Sequence, residues 1–101
     1  MKTQETTSGQ IIIEQLGGNR FRAMTGARHF VFDDVGQSLT FRLPWPGINF
    51  VRVTLTPADL YDMEFFKVRG LSLTLKAREV GIYWDRLQAV FTANTGLDTH
   101  L

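Results

Sequence analysis

The stretch "SLTFRLPWPGINFVRVTL", Ser38 to Leu55, decides the fold. Leu39, Phe41 and Leu43 alternate with Thr40 and Arg42, and Val51, Val53 and Leu55 alternate with Arg52 and Thr54. A period of two is the mark of a strand with one dry face. Pro44, Pro46 and Gly47 interrupt the runs where the chain would reverse, so the two runs predict an antiparallel pair.

Working toward the N-terminus, "DDVGQ" (33–37) predicts another corner and "RHFVF" (28–32) a short aromatic strand. "NRFRAM" (19–24) sets Phe21 and Ala23 against Arg20, Arg22 and Met24, which predicts a further strand. Between those two strands, Thr25, Gly26 and Ala27 of "MTGARHF" are expected to form a turn, with Gly26 at positive φ. Further back, "TSGQIIIEQLGG" predicts a helix. Thr7 is its N-cap, Gln10 its capping-box partner, Ile12, Ile13 and Leu16 its apolar face, and Gly17 or Gly18 its C-cap. The polar start, 1–8, is expected to be disordered.

Working toward the C-terminus, "TPADLYDM" predicts a brief helix, with Thr56 as N-cap, Pro57 at the first position and Asp59 at the third. "EFFKVRG" and "LSLTLKA" read as a strand pair turning near Gly70, with Leu71, Leu73 and Leu75 on one side and Ser72, Thr74 and Lys76 on the other. Tyr83, Leu87, Val90 and Phe91 then follow helical spacing from about Ile82 to Asn94. Gly96 is the C-cap, and Leu97 packs back. The order α-ββββ-α-ββ-α predicts a single α+β domain over 1–101, an antiparallel sheet with helices packed on one face.

Composition narrows the chemistry. The chain of 101 residues is 44% hydrophobic and 21% charged, has no cysteine, and has a net charge of +1. These values exclude disulfide staples, thiolate nucleophiles and Cys-ligated zinc. Residues 17–56 hold five arginines against Asp33 and Asp34, an excess too small for a dedicated duplex binder. No apolar run is long enough to span a bilayer and no signal peptide is evident, so a cytoplasmic protein is expected.

Motifs of catalysis are missing from the pattern. No G-x-x-x-x-G-K-[ST] or G-x-G-x-x-G spacing occurs, so "MTGARHF" does not predict a phosphate cradle. Two histidines, His29 and His100, with no calcium-loop series of acids, predict no metal site and no cofactor. Asp33 and Asp34 read as turn residues, and Asp59, Asp62 and Glu64 as local capping. No Ser-His-acid order is present. The chain is expected not to be an enzyme, and a small enzyme built on Arg28, His29 and nearby acids is the minor alternative.

The better signal lies on the outward strand positions. Arg22, Arg42 and Arg52, with Thr40 and Thr54, would project from the face opposite the core. There they could grip carboxylates or phosphates bidentately, or remain ordinary solvated residues. Arg28 at a loop edge has the same capacity. Trp45, stiffened between Pro44 and Pro46, could anchor a protein partner or lid the core. A single-strand nucleic-acid binder would need stacking aromatics on that face; Phe50 has the right parity, but most other strand aromatics are expected on the core side, and no RNP-type motif is present.

The strings "IIEQLGGNRFRAMTGARHF", "LTFRLPWPGINFVRVTLTPADLYDMEF" and "LQAVFTANTGL" resemble a family of small uncharacterised proteins from phages, prophages and plasmids. The shared elements are "LGGN", "MTGA", "GIN", "DLYDMEF" and "TGL", from about Ile11 to Leu97. The Pro-Trp-Pro insertion before Gly47 departs from the more polar loop of that family. The resemblance implies a mobile-element accessory protein of the bacterial host cytosol that acts by stoichiometric protein binding. Its context points to an inhibitor of host defence of the anti-CRISPR kind, with a host protein or ribonucleoprotein such as a CRISPR effector subunit as partner. Arg22, Arg28, Arg42, Arg52 and Trp45 are the expected partner-binding residues, in a monomer or homodimer without membrane contact. Nucleic-acid binding is the alternative.

Overall fold

A computed structural model describes residues 8–99. Its elements are α1 (Ser8–Leu16), α2 (Gly18–Thr25), β1 (Arg28–Asp33), β2 (Ser38–Arg42), β3 (Phe50–Leu55), β4 (Tyr61–Arg69), β5 (Ser72–Ile82) and α3 (Leu87–Thr95). The strands form one antiparallel meander in the order β1-β2-β3-β4-β5. This is the α+β architecture that the alternating runs predict.

The core lies between one face of the sheet and the helices. Leu39, Phe41, Val51, Val53, Met63 and Phe65 meet Ile12 and Leu16 of α1, Phe21 of α2, and Leu87 and Phe91 of α3. Alternation is kept because every second residue of β2, of β3 and of the first half of β4, Tyr61 to Phe65, enters this layer. Phe21 packs edge-on against both Phe41 (5.4 Å) and Phe91 (5.1 Å), joining the sheet to two helices through one ring.

Asn19–Met24 is helical, which corrects the expected first strand. Phe21 and Thr25, four residues apart, are fully buried while Arg22 and Ala23 face solvent, so the side chains obey the helical period. Gly17 at φ 126 separates α2 from α1, and Gly26 at φ 73 closes α2 as a left-handed C-cap, its N–H donating to the Arg22 carbonyl at 2.9 Å. Gly26 thus has the expected positive φ, but it ends a helix instead of linking two strands. The Thr25 hydroxyl donates to the Phe21 carbonyl at 2.7 Å and accepts the Ala27 N–H at 3.2 Å, fixing the exit into β1. Thr7 and residues 1–7 of the expected disordered start lie outside the described residues; Ser8 already opens α1.

Thr56–Leu60 is a hairpin loop, not the expected helix. Leu55 and Tyr61 face each other across β3 and β4, so the loop must reverse the chain at once. The Thr56 N–H and hydroxyl both donate to the Leu60 carbonyl, at 2.8 and 2.9 Å, while Asp59 adopts φ 63. At the other end, Ile82 belongs to β5. A single 3-10 turn, Trp84–Arg86, precedes α3, and Gly96 at φ 76 is its C-cap.

Two consequences are measurable. A Cβ at Gly26 would sit 2.8 Å from Pro44 Cγ and force an L residue into left-handed φ. Gly26→Ala is expected to lower unfolding free energy by about 1–3 kcal/mol in urea melts. Burial, with the Asp59 carboxylate adding, raises the Tyr61 phenol above its ordinary 10.0. Because the folded state holds this proton more tightly, its contribution to stability is intact below pH 10.0 and is lost as pH rises through the higher folded value. Melts above pH 10.0 should therefore fall more steeply for the wild-type protein than for Tyr61→Phe.

Candidate functional site

All helices that join the core lie on one face of the sheet, which leaves the other face without a covering layer among the described residues. Strand register organises that face into two rows running across the sheet. One is Arg28, Arg42, Phe50, Phe66 and Leu75; the other is Val31, Thr40, Arg52, Glu64 and Arg78. Each residue stands directly opposite the next, at the separation where cross-strand side chains interact.

In the second row the Arg52 Nε donates to Glu64 Oε1 at 2.8 Å, and the Arg78 Nε lies 3.7 Å from Glu64 Oε2. One carboxylate thus sits between two guanidinium groups. Arg52 also lies over the Phe66 ring, 5.2 Å from its centroid, and Phe66 meets Phe50 at 5.8 Å. Phe66 is thereby buried on a face that no helix covers. Arg42 is exposed, 5.9 Å from the Phe50 centroid, and pairs in register with exposed Arg28. Two like charges opposite each other repel at rest and together favour an anionic group.

The structure brings Arg28, Arg42 and Arg52 to this face but separates the other two expected site residues. Arg22 projects from α2, on the helical side, over the Phe30 ring at 4.8 Å; the strand parity that put it beside Arg42 disappears once Asn19–Met24 is helical. Trp45 is 43% exposed in the loop joining β2 and β3, and its indole N–H donates to the Thr25 carbonyl at 2.9 Å. It therefore caps the C-terminal end of α2 with its polar edge while exposing part of its ring. His29 is exposed at φ 59 in the irregular stretch of β1. Asp33 accepts the Val35 N–H at 3.1 Å, the local turn bond expected of it.

Sequence reasoning passed over Phe66, Leu73, Leu75 and Arg78 as site residues and read Asp62 and Glu64 as helix capping; with no helix there, both lie in β4, where Glu64 pairs with Arg52. The leucine alternation is visible in the sequence, but alternation names two faces without saying which is covered. Leu73 and Leu75 remain 55% and 50% exposed, on the same open face as Phe66. The described residues contain no group of three His, Cys, Asp or Glu side chains able to hold a metal ion, and no helix long and apolar enough to cross a membrane.

No protein-family model, curated protein or solved structure matches the chain. The arrangement of the open face is therefore the basis for a functional reading.

The Arg52–Glu64–Arg78 cluster is partly solvated, so its net worth to stability is small. Glu64→Gln is expected to cost less than about 1 kcal/mol in chemical denaturation, with the difference shrinking at high salt. A larger, salt-insensitive loss would show that Glu64 supports packing instead.

Proposed function

We propose that this protein acts by stoichiometric binding of a protein partner through the helix-free face of its sheet. The observation that carries this reading is a row that passes from paired arginines, Arg28 and Arg42, through Phe50 and Phe66 to exposed Leu75, on a face that no element covers among the described residues. Arginine beside aromatic and aliphatic side chains is the composition of interface centres. The Phe66 ring is already under Arg52, which disfavours base stacking there and places nucleic-acid binding second.

The resemblance to proteins of phages, prophages and plasmids makes a component of bacterial host defence, a CRISPR effector subunit among them, the partner class to try first. Inhibition by occupancy in the host cytosol is the corresponding mode of action. Trp45, tied to α2, is a secondary contact at most one loop away from Arg42.

The test is capture from bacterial lysate by the tagged protein, with and without nuclease, compared with Arg28→Glu/Arg42→Glu. Wild type should retain a protein in near-equimolar amount after nuclease, and the variant should lose it by at least about tenfold with an unchanged melting curve. Undiminished capture by the variant rejects this face. Recovery that nuclease abolishes would instead assign the face to nucleic acid, with a steep salt dependence to match.

A further inference from the structure

The hairpin of β4 and β5 differs from the rest of the sheet in three ways that bear on partner choice. First, β5 is an edge strand of 11 residues, and among the described residues no strand lies beyond it. Its backbone groups on that side are open to another strand. The opposite edge, β1, is only six residues long and is kinked between Arg28 and Val31, with His29 at φ 59, so it offers a poorer template.

Second, the apolar surface is concentrated here. Leu71, at the hairpin tip, is fully exposed, and Leu73 and Leu75 are half exposed. Register places Leu73 opposite Val68 and Leu75 opposite Phe66, so these four side chains form one strip on the helix-free face. Ser72 and Thr74 pair with Arg69 and Lys67 on the other face. The pairing is regular over Ser72–Leu75. It then shifts at Lys76, which is an extra residue between the partners of Phe66 and Phe65.

Third, the charge is one-sided. From Phe66 to Arg78 the chain carries Lys67, Arg69, Lys76 and Arg78 and no acidic residue. A second copy of this chain added along β5 would bring the same four cations up to this hairpin, like charge against like. A flat anionic surface could meet the leucines or the Lys67 and Arg69 side, but not both, because the two sets lie on opposite faces of the hairpin. A strand laid beside β5 sends alternate side chains to both faces and satisfies both.

We infer that β5 receives an extended, acidic segment of a partner protein by strand addition at Ser72–Leu75. Apolar side chains of that segment lie beside Leu73 and Leu75, and its carboxylates lie beside Ser72 and Thr74, within reach of the long Lys67 and Arg69 side chains behind them and of Lys76. This assignment rests on the protein-binding reading above and supplies the chemistry of the partner.

The probe is a fluorescein-labelled peptide of alternating valine and glutamate, titrated into the intact protein and followed by anisotropy and by amide chemical shifts. Shifts confined to β4 and β5, with slowed hydrogen exchange along Ser72–Leu75, are the expected result. Binding should weaken by about tenfold or more for Lys67→Glu/Lys76→Glu, for a lysine-for-glutamate peptide, and for a peptide N-methylated at alternate residues. The N-methylated peptide keeps every side chain and loses backbone donors, so equal binding by it overturns strand addition. Silence of β5 toward the peptide, binding only at Arg28 and Arg42, or binding instead to phosphatidylserine vesicles or single-stranded DNA, likewise overturns it. If the peptide fails while lysate capture still depends on Arg28 and Arg42, the strand-addition inference fails alone. If both fail, the protein-binding reading falls with it.

Discussion

The contact on which the rest depends is the three-ring junction of Phe21, Phe41 and Phe91. One ring comes from α2, one from β2 and one from α3, with centroids 5.1 to 6.3 Å apart. All three are fully buried, so the helices are fixed to one face by the largest apolar groups available to them. Among the described residues there is no second set of helices to cover the other face. The open face is therefore a consequence of where the aromatic mass went, and its residues must shelter their own apolar surface. Phe66 does so beneath Phe50 and Arg52.

The junction also depends on the way the chain leaves α2. Thr25 binds the helix backbone behind it and the Ala27 N–H ahead of it, while its own carbonyl takes the Trp45 indole N–H. Gly26 allows Pro44 of the same loop to approach closely. Helix end, strand start and the loop of Trp45 are thus held at one point. The "MTGA" string that looks like a ligand motif is the joint between the helical layer and the sheet.

How far the sequence could be read follows from how much each stretch samples a period. β2 and β3 were legible because one face is dry and the alternation continues through a proline-marked corner. Asn19–Met24 was not, since six residues cover less than two helical turns and Phe21 with Ala23 satisfies period two by accident. Only the buried spacing of Phe21 and Thr25 separates the alternatives. Thr56, Pro57 and Asp59 are helix-start residues and turn residues alike, and the pull of Tyr61 into register with Leu55 decided for the turn. Of the site, the outward parity of Arg42 and Arg52 was readable. The Glu64 carboxylate between Arg52 and Arg78 was not, because it needs the register of three strands.

Magnitudes explain why the leucines alone would make a poor docking site and the hairpin as a whole a better one. Covering Leu71 and the exposed halves of Leu73 and Leu75 offers about 3–6 kcal/mol at most. Association costs at least about 4 kcal/mol in lost freedom before any side chain is ordered. An apolar partner resting on the strip would therefore hold weakly. A strand along β5 adds backbone hydrogen bonds that the edge otherwise leaves to water, and carboxylates among Lys67, Arg69 and Lys76 add attraction without a buried unpaired charge. The same cations set like charges against a second copy, and the shift in pairing at Lys76 limits the straight edge to Ser72–Leu75. On the strand-addition reading, edge protection and partner selection become one device: charges that disfavour a second copy along β5 favour a strand of opposite charge.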